Sequence, residues 1–288
     1  MLLDGILDKI GFNDEQKAEY EKYKALAGEQ IERLAHAYMK EDLPFMSADE
    51  KMGEMADEAI HKYTLKLLFL LECTGYVYEK YQEAGLSDKI FYDTMKDIKY
   101  KLDECVDVHG IFGDFTPDWF DGFFKLKRFA FGRLQFDITA HKGESVNVAG
   151  REVNEGDFIV KCHIPSSGPL FHEECMKSYK AVYDFVKSEL KDDILPIECH
   201  SWLLFPNYQG FFGENSNTKK FAEDYTVFDV YETDIFWDKW RIFGKDAESD
   251  PLPQKTILQR NFAEYVTKGK PFGYGKGIFL FNGEKIIK

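Results

Sequence analysis

The middle of the chain contains two strand-like segments separated by a long amphipathic segment. Residues 157–164 and 196–205 are rich in β-branched and aromatic side chains, as buried or half-buried strands are. Between them, residues 170–190 carry apolar side chains at three- and four-residue spacing, namely Met176, Tyr179, Val182, Tyr183 and Val186. A helix joining two such strands predicts a βαβ unit with parallel strands.

The flanking sequence predicts a mixed sheet with further helices. Alternating segments indicate additional strands at 133–139, 146–148, 225–231 and 277–281. Helical patterns occur after Thr116-Pro117, at 219–223 and at 253–269. Asn282-Gly283 is typical of a hairpin turn. We therefore expect an α+β domain from residue 113 to residue 288.

The preceding residues, 1–112, have a helical pattern throughout. Asn13-Asp14 predicts the start of a helix that continues past Ala35. Ser47-Ala-Asp-Glu50 has the spacing of a capping box and predicts a second helix that ends before Gly85. Ser87-Asp88 predicts the start of a third. This part contains no strand pattern and no catalytic motif, so we interpret it as an accessory helical domain.

The charge balance excludes several classes of function. The chain of 288 residues has 37 Lys and Arg against 51 Asp and Glu, a formal net charge of −14. Most of the excess lies in residues 1–112, which have a net charge of −10. Nucleic-acid binding and binding to an anionic membrane surface both need clustered basic residues, so neither is expected.

The termini and cysteines favour a cytoplasmic protein. The first twelve residues, MLLDGILDKIGF, are too short and too charged for a signal peptide. The longest apolar run, 67–71, is far shorter than a membrane span. The five cysteines show no CxxC spacing, which favours reduced thiols over a disulfide framework.

A loop rich in small residues connects the first strand of the βαβ unit to its helix. Its sequence, Ile164-Pro-Ser-Ser-Gly-Pro-Leu170, lies where free N–H groups and the helix dipole favour an anion. A phosphate or pyrophosphate would suit this position. A tight turn followed by a proline-started helix explains the same residues equally well, and the pattern alone does not choose between them.

Four segments in order resemble GNAT-like acyltransferases. They are Gly132-Arg-Leu-Gln-Phe136, His163-Ile-Pro-Ser-Ser-Gly-Pro-Leu170, Cys199-His-Ser-Trp-Leu-Leu204 and Leu252-Pro-Gln-Lys-Thr-Ile-Leu-Gln-Arg260. The resemblance covers roughly residues 113–281, and the helical part resembles the N-terminal domain that accompanies such domains. It implies an α+β fold with a helical N-terminal domain followed by a GNAT-like mixed sheet and flanking helices.

The resemblance also implies a co-substrate and a reaction. In GNAT folds the two parallel strands splay, acyl-CoA lies in the gap, and its pyrophosphate contacts the loop after the first strand. Here the implied CoA-binding residues are Ile164, Ser166, Ser167, Gly168 and Leu170. Ser-Ser-Gly-Pro replaces the usual Gln/Arg-x-x-Gly-x-Gly/Ala, so serine hydroxyls would substitute for backbone donors. The implied activity is acyl transfer from acyl-CoA or acetyl-CoA to an amine of a small molecule.

Four residues near the ends of the two strands are candidates for catalysis. Attack by an amine needs a base, and histidine has a suitable pKa near neutrality. Our order of preference is His200, His163 and then Glu198, with Ser201 as a further candidate. Alternation places Glu198 and His200 on one face of the strand and Ser201 on the other. The alternative is that these histidines are packed, hydrogen-bonded strand residues.

Other interpretations of the same residues remain open. A zinc site drawn from Cys162, His163, His172, Cys175, Cys199 and His200 is disfavoured. Adjacent strand residues point to opposite faces, and His172 and Cys175 share a helical face but lack partners at a usual spacing. No metal is expected. A covalent mechanism at Cys199 is disfavoured, since buried thiols are usually inert. The chain could instead be a GNAT fold that binds a metabolite or protein partner without catalysis. Acyl transfer from an acidic carrier protein is disfavoured by the negative charge.

Overall fold

The computed structural model describes residues 2–288, which divide into two compact units. The first ends at Ala130 and the second begins at Phe131. No helix within the described residues is both long enough and apolar enough to cross a bilayer.

The first unit is helical. Its elements are α1 (Leu2–Ile10), α2 (Asp14–Ala27), α3 (Glu29–Met39), α4 (Phe45–Met55), α5 (Lys62–Glu83), α6 (Asp88–His109), a 3-10 turn (Pro117–Phe120) and α7 (Asp121–Phe124). The centre of this unit is α5, which contacts α1, α2, α3, α4 and α6. The run Leu67–Leu71 on α5 is fully buried, so the most apolar stretch of the sequence forms the core of the helical unit.

Two of the three predicted helices are each interrupted. The first is divided at Gly28, whose φ of 62° lies in the left-handed region. The second divides into α4 and α5 because Asp57 Oδ1 accepts the N–H groups of Ala59 and Ile60, which forms a turn in place of helix. The predicted cap at Ser47 is wrong: Ser47 lies inside α4, which Pro44 precedes. The predicted cap at Ser87 is confirmed.

The second unit is a mixed sheet with flanking helices. The sheet begins with β1 (Arg128–Phe131), which spans the boundary between the two units in the sequence. The other strands are β2 (Leu134–Ala140), β3 (Val146–Val148), β4 (Arg151–Val153), β5 (Phe158–His163), β6 (Leu195–Ser201), β7 (Thr226–Thr233), β8 (Phe272–Phe281) and β9 (Ile286–Ile287). Its helices are α8 (His172–Val186), α9 (Asn217–Glu223), α10 (Lys239–Phe243) and α11 (Ile257–Thr267). The predicted α+β class with a GNAT-like sheet is confirmed.

Strand order confirms the predicted βαβ unit. The sheet runs β1-β2-β5-β6-β8-β7, with β9 added beside β8, and β3–β4 form a separate hairpin. The β5–β6 pair is parallel, and α8 connects its two strands. The neighbouring pairs β2–β5, β6–β8 and β7–β8 are antiparallel. The parallel pair therefore lies at the centre of an otherwise antiparallel sheet.

The two faces of this sheet differ in character. On one face, the Tyr179 ring of α8 contacts Phe136 of β2 and Phe279 of β8. On the other, the β3–β4 hairpin contributes Val146 and Val148 to an apolar cluster with Ile278 and other strand residues. Beyond that cluster the second face carries titratable side chains. Below we call it the polar face.

A buried group of charged residues lies in the first unit. Asp97, Lys101 and Glu104 follow one another along one side of α6, and Lys101 Nζ lies 2.9 Å from Glu104 Oε2. Asp114 is fully buried nearby and accepts the Thr116 N–H at 2.5 Å through Oδ1. Burial raises the pKa of the Asp114 carboxyl to about 7, although Thr116 and Lys101 oppose the rise. The carboxyl is therefore easier to bury in its protonated form.

We expect Asp114→Asn to change how stability depends on pH. Because the folded pKa lies above the unfolded value, the wild-type free energy of unfolding should fall from about pH 4 to about pH 7 and then level off. Asparagine stays neutral, so the variant should gain on the order of 1–3 kcal/mol at pH 8 and little at pH 4. Urea unfolding at both pH values measures this. The exposed Asp42→Asn variant is the control, and an equal effect at both pH values would contradict the assignment.

Candidate active site

The parallel ladder at the centre of the sheet stops before its two strands do. The last β5–β6 pair is Cys162–Cys199. One residue later, His163 still pairs with Gln135 of β2, and His200 still pairs with Lys276 of β8. The strands are thus held from their outer sides while the pairing between them is lost. We call this point, where His163 and His200 end the two strands without pairing to each other, the gap.

Arg133 organises the loop that follows β5. Its Nη1 donates to the Pro165 carbonyl at 2.9 Å, Nη2 to Gly168 at 2.6 Å and Nε to Pro169 at 3.0 Å. The Arg133 N–H also donates to Ser178 Oγ of α8, at 3.0 Å. One guanidinium group therefore holds three carbonyls of a short loop, which keeps the loop's shape and adds positive charge beside it.

Glycine 132 is required for this arrangement. Its φ is 68°, in the left-handed region, and a Cβ there would lie 3.3 Å from Ser178 Oγ. The Gly132-Arg133 pair thus turns the chain into β2 while aiming the guanidinium group at the loop. The contacts show that Arg133 braces the loop.

The loop presents one polar group without a partner. Ser167 Oγ is shielded from solvent and has no hydrogen-bond partner among residues 2–288. Buried hydroxyls are normally bonded, so an orphaned one is the kind of group that a ligand oxygen satisfies. Phe171, the N-cap residue of α8, supplies no side-chain cap to the helix. The loop around Ser167 therefore fits an anionic group. Glu173 and Glu174, in the first turn of α8, would repel an anion placed closer to the helix.

His163 forms a pair with a carboxylate on the polar face. Its Nε2 lies 3.0 Å from Asp137 Oδ2, and both side chains are about one-quarter exposed. A carboxylate beside a histidine selects its tautomer and stabilises the imidazolium form. Asp137 belongs to the strand after Gly132-Arg133, and nothing in the sequence singled it out.

Glu198 lies at the centre of a buried ion network. Its side chain is 5% exposed and contacts His141 Nδ1 at 3.0 Å and Lys161 Nζ at 3.4 Å. His141 Nε2 is in turn 2.9 Å from the Glu144 carbonyl. Lys161 could have been noted from the sequence, because it alternates with His163 along β5. His141 carried no such signal, since it follows a strand that is distant in sequence.

His200 is the exposed member of the candidate set. Its ring lies 5.3 Å from the Tyr231 ring and 5.7 Å from the Tyr274 ring. Partial burial and the charge of Lys276 lower the pKa of His200, and Glu198 opposes this. His200 is consequently neutral at pH 7 and able to accept a proton.

The remaining predicted site residues lie around the gap and the loop. Ser201 points away from His200, and its Oγ accepts the Leu203 N–H at 3.2 Å, which caps a 3-10 turn. Leu170 is buried, Ile164 is half-buried, and Ser166 and Gly168 are exposed. The strand ends thus bring His163, Glu198 and His200 to one face, whereas Ser201 is on the other.

The cysteines and the acidic groups form no metal centre within the described residues. All five cysteines are buried and unpaired. Across residues 2–288, no group of three or more His, Cys, Asp and Glu side chains is arranged to hold a metal ion. Burial raises the pKa of the Cys162 thiol, in contact with Cys199.

A shallow depression lies beside the start of α8. Its volume is about 790 Å³, and its lining includes His172, Lys220, Asp224 and Lys288. His172 Nε2 pairs with Asp224 Oδ1 at 2.8 Å. Lysines and acids are mixed in this lining, so its charge favours neither an anion nor a cation.

The fold and the opened parallel pair define an α+β protein of the GNAT-like class. Residues 128–279 match the family model of the GNAT-like C-terminal domain. Residues 1–126 match the N-acyltransferase N-terminal domain. The chain therefore belongs to the GNAT-like acyltransferase family, as the four sequence segments predicted.

Solved acyltransferases share this architecture. One, a mutant acyltransferase in complex with octanoyl-CoA, is 17% identical with a TM-score of 0.72; the alignment covers 96% of this chain and 86% of that one. A second, bound to decanoyl-CoA and teicoplanin, is 18% identical with the same TM-score and coverage. A third acyltransferase, with decanoyl-CoA, is 14% identical, with a TM-score of 0.61 and coverage of 96% and 98%. Similarity at this level shows the fold. No curated protein matches this sequence significantly.

Proposed function

We propose that this protein transfers an acyl group from acyl-CoA to an amine of a small molecule. The observation that carries the proposal is the gap between His163 and His200, directly after which the chain enters the loop held by Arg133. Family membership supports the reaction class. The octanoyl-CoA and decanoyl-CoA complexes of the structurally similar acyltransferases support the donor.

The loop would hold the pyrophosphate of CoA. Ser166, Ser167 and Gly168 would supply hydroxyl and backbone donors, with Ile164 and Leu170 at either end. The orphaned Ser167 hydroxyl and the nearby Arg133 charge both fit an anion. CoA supplies the activated thioester, and the protein supplies the position and the proton acceptor.

The polar face would carry out the proton transfer. The amine nitrogen attacks the thioester carbonyl, a C–N bond forms, the C–S bond breaks, and the thiolate leaves. A histidine at the gap takes the proton from the amine. Burial and Lys276 lower the pKa of His200, which keeps it available as a proton acceptor, and the Asp137 carboxylate lies 3.0 Å from His163 Nε2, where it can orient that ring. Glu198, paired with Lys161 and His141, would act by holding this face in place, and Ser201 by shaping the end of β6.

Titration of the purified protein with CoA and acetyl-CoA by calorimetry tests the donor. We expect binding, and we expect Ser167→Asp to abolish it because a carboxylate would face the pyrophosphate. Ser188→Asp, just after the C-terminal end of α8, makes the same charge change on an exposed residue and should bind CoA normally. The CoA proposal fails if no heat is detected at millimolar ligand.

Turnover is tested separately, by mass spectrometry of amines incubated with the protein and acetyl-CoA. An N-acetylated product supports the enzyme. Saturable CoA binding without any product across a broad amine panel would support the alternative of a GNAT fold that binds without catalysis.

A further inference from the structure

Two tyrosines stand beside His200 on the polar face. Tyr231 of β7 and Tyr274 of β8 are register partners, and their rings stack at 5.3 Å with an angle of 17°. Tyr274 lies two residues from Lys276, the register partner of His200, so it projects to the same face as His200. We call Tyr231 and Tyr274 the tyrosine wall. It borders His200 on the side away from the gap.

The inner tyrosine, Tyr274, is fixed by a hydrogen bond, whereas the outer one, Tyr231, is exposed to solvent. The Tyr274 hydroxyl donates to Asp238 Oδ2 at 3.0 Å, and Asp238 also pairs with Arg241. Tyr231 is 41% exposed, on a strand at the end of the sheet order. Further along the chain, Ile235 and Trp237 are also exposed, at 53% and 72%. An exposed aromatic surface beside a candidate base suits a substrate ring.

The chain segment that carries the outer tyrosine is acidic. Residues 226–238 contain four acids and no lysine or arginine. Asp229 pairs with Lys276, and Asp238 pairs with Arg241. Glu232 and Asp234 form no ion pair with any residue from 2 to 288. The segment therefore retains negative charge, and tyrosine rings themselves attract ammonium groups.

We propose that the tyrosine wall selects the acyl acceptor, and that the acceptor is a primary amine carried on an aromatic ring. The ring stacks on Tyr231, and the amine points toward His200. The acidic segment 226–238 attracts the ammonium form, which must lose a proton before it attacks. This inference rests on the proposed acyl transfer and adds the class of acceptor to it.

The affinities of two amines, measured directly by calorimetry or NMR titration, test whether the tyrosine wall binds the acceptor. This experiment does not require turnover. The probes are 2-phenylethylamine and hexylamine, which share the charge and differ in the ring. We expect 2-phenylethylamine to bind roughly three- to ten-fold more tightly, as one aromatic stack allows. Tyr231→Ala should remove this preference, whereas Tyr231→Phe keeps the ring and should retain it. The neutral 2-phenylethanol should bind more weakly than 2-phenylethylamine.

A control variant and the donor titration separate the possible outcomes. Tyr23→Ala, which removes a stacked tyrosine partnered with Phe112 in the first unit, should leave the preference intact. Acetyl-CoA affinity, measured in the same samples, should not change in Tyr231→Ala. Equal affinity for the two amines in the wild type, or a preference that survives in Tyr231→Ala, would contradict the role of the tyrosine wall in acceptor selection and leave the proposed acyl transfer standing. Failure of acetyl-CoA to bind would instead overturn the proposed acyl transfer.

Discussion

Arg133→Met is expected to weaken acetyl-CoA binding roughly 10- to 100-fold. The side chain donates to three carbonyls of the 165–169 loop, and each such hydrogen bond to a charged donor contributes about 1.5–3 kcal/mol. Methionine fills similar space but cannot donate, so the loop would lose its defined shape and its nearby positive charge. The measurement is the dissociation constant of acetyl-CoA by calorimetry, with circular dichroism to confirm folding.

Arg260 offers a matched control for Arg133. Its Nη1 donates to the carbonyls of Gln254 and Lys255, at 3.1 and 3.3 Å, in a loop outside the proposed CoA site. Arg260→Met removes the same charge and the same kind of contact, and acetyl-CoA should bind it normally. If both variants lose affinity equally, Arg133 acts through general stability or charge and not through the loop.

The double variant His163→Ala/His200→Ala should lose about 10²- to 10⁴-fold in kcat, the usual contribution of a general base. The two rings flank the gap where the parallel ladder ends, so removing both leaves no histidine at the candidate reaction centre. The dissociation constant of acetyl-CoA should stay within a few-fold of wild type. A double variant with full activity would exclude both residues from catalysis.

The single variants decide which histidine acts as the base. If it is His200, then His200→Ala alone should show the large loss. The acidic limb of the rate–pH profile should then lie below the ordinary histidine pKa, because burial and Lys276 lower the pKa of His200. If it is His163, then Asp137→Asn should also lower kcat, since the paired carboxylate is lost. The exposed His36→Ala, in the first unit, is the control.

Local patterns in the sequence predicted most of the elements. The apolar spacing of 170–190 gave the position of α8, and alternation located β2, β5 and β6 within one to four residues at each end. The predicted capping residues Asn13 and Ser87 begin helices as such residues do, whereas the helix predicted to start at Pro253 starts after Thr256. Where prediction failed, at Gly28 and at Asp57, one residue redirected a helical pattern through a left-handed φ or a side-chain turn.

Contacts between residues that are far apart in the sequence could not be predicted from local patterns. Asp137 reaches His163 because β2 and β5 pair antiparallel in one register, and a shift of one residue would turn each side chain to the opposite face. Likewise, His141 and Glu198 are 57 positions apart in the chain. Neither pairing leaves a periodic signal in the sequence.

The sequence by itself determined the helical first part, the βαβ unit, the loop at 164–170 and the family. These features depend on helix caps, hydrophobic periodicity and ordered motifs, which are all local in the sequence. Only the tertiary structure decided that Arg133 holds that loop, that His163 has a carboxylate partner, and that His200 stands beside a tyrosine wall. Those features depend on strand order and register, which many weak interactions across the whole sheet select together.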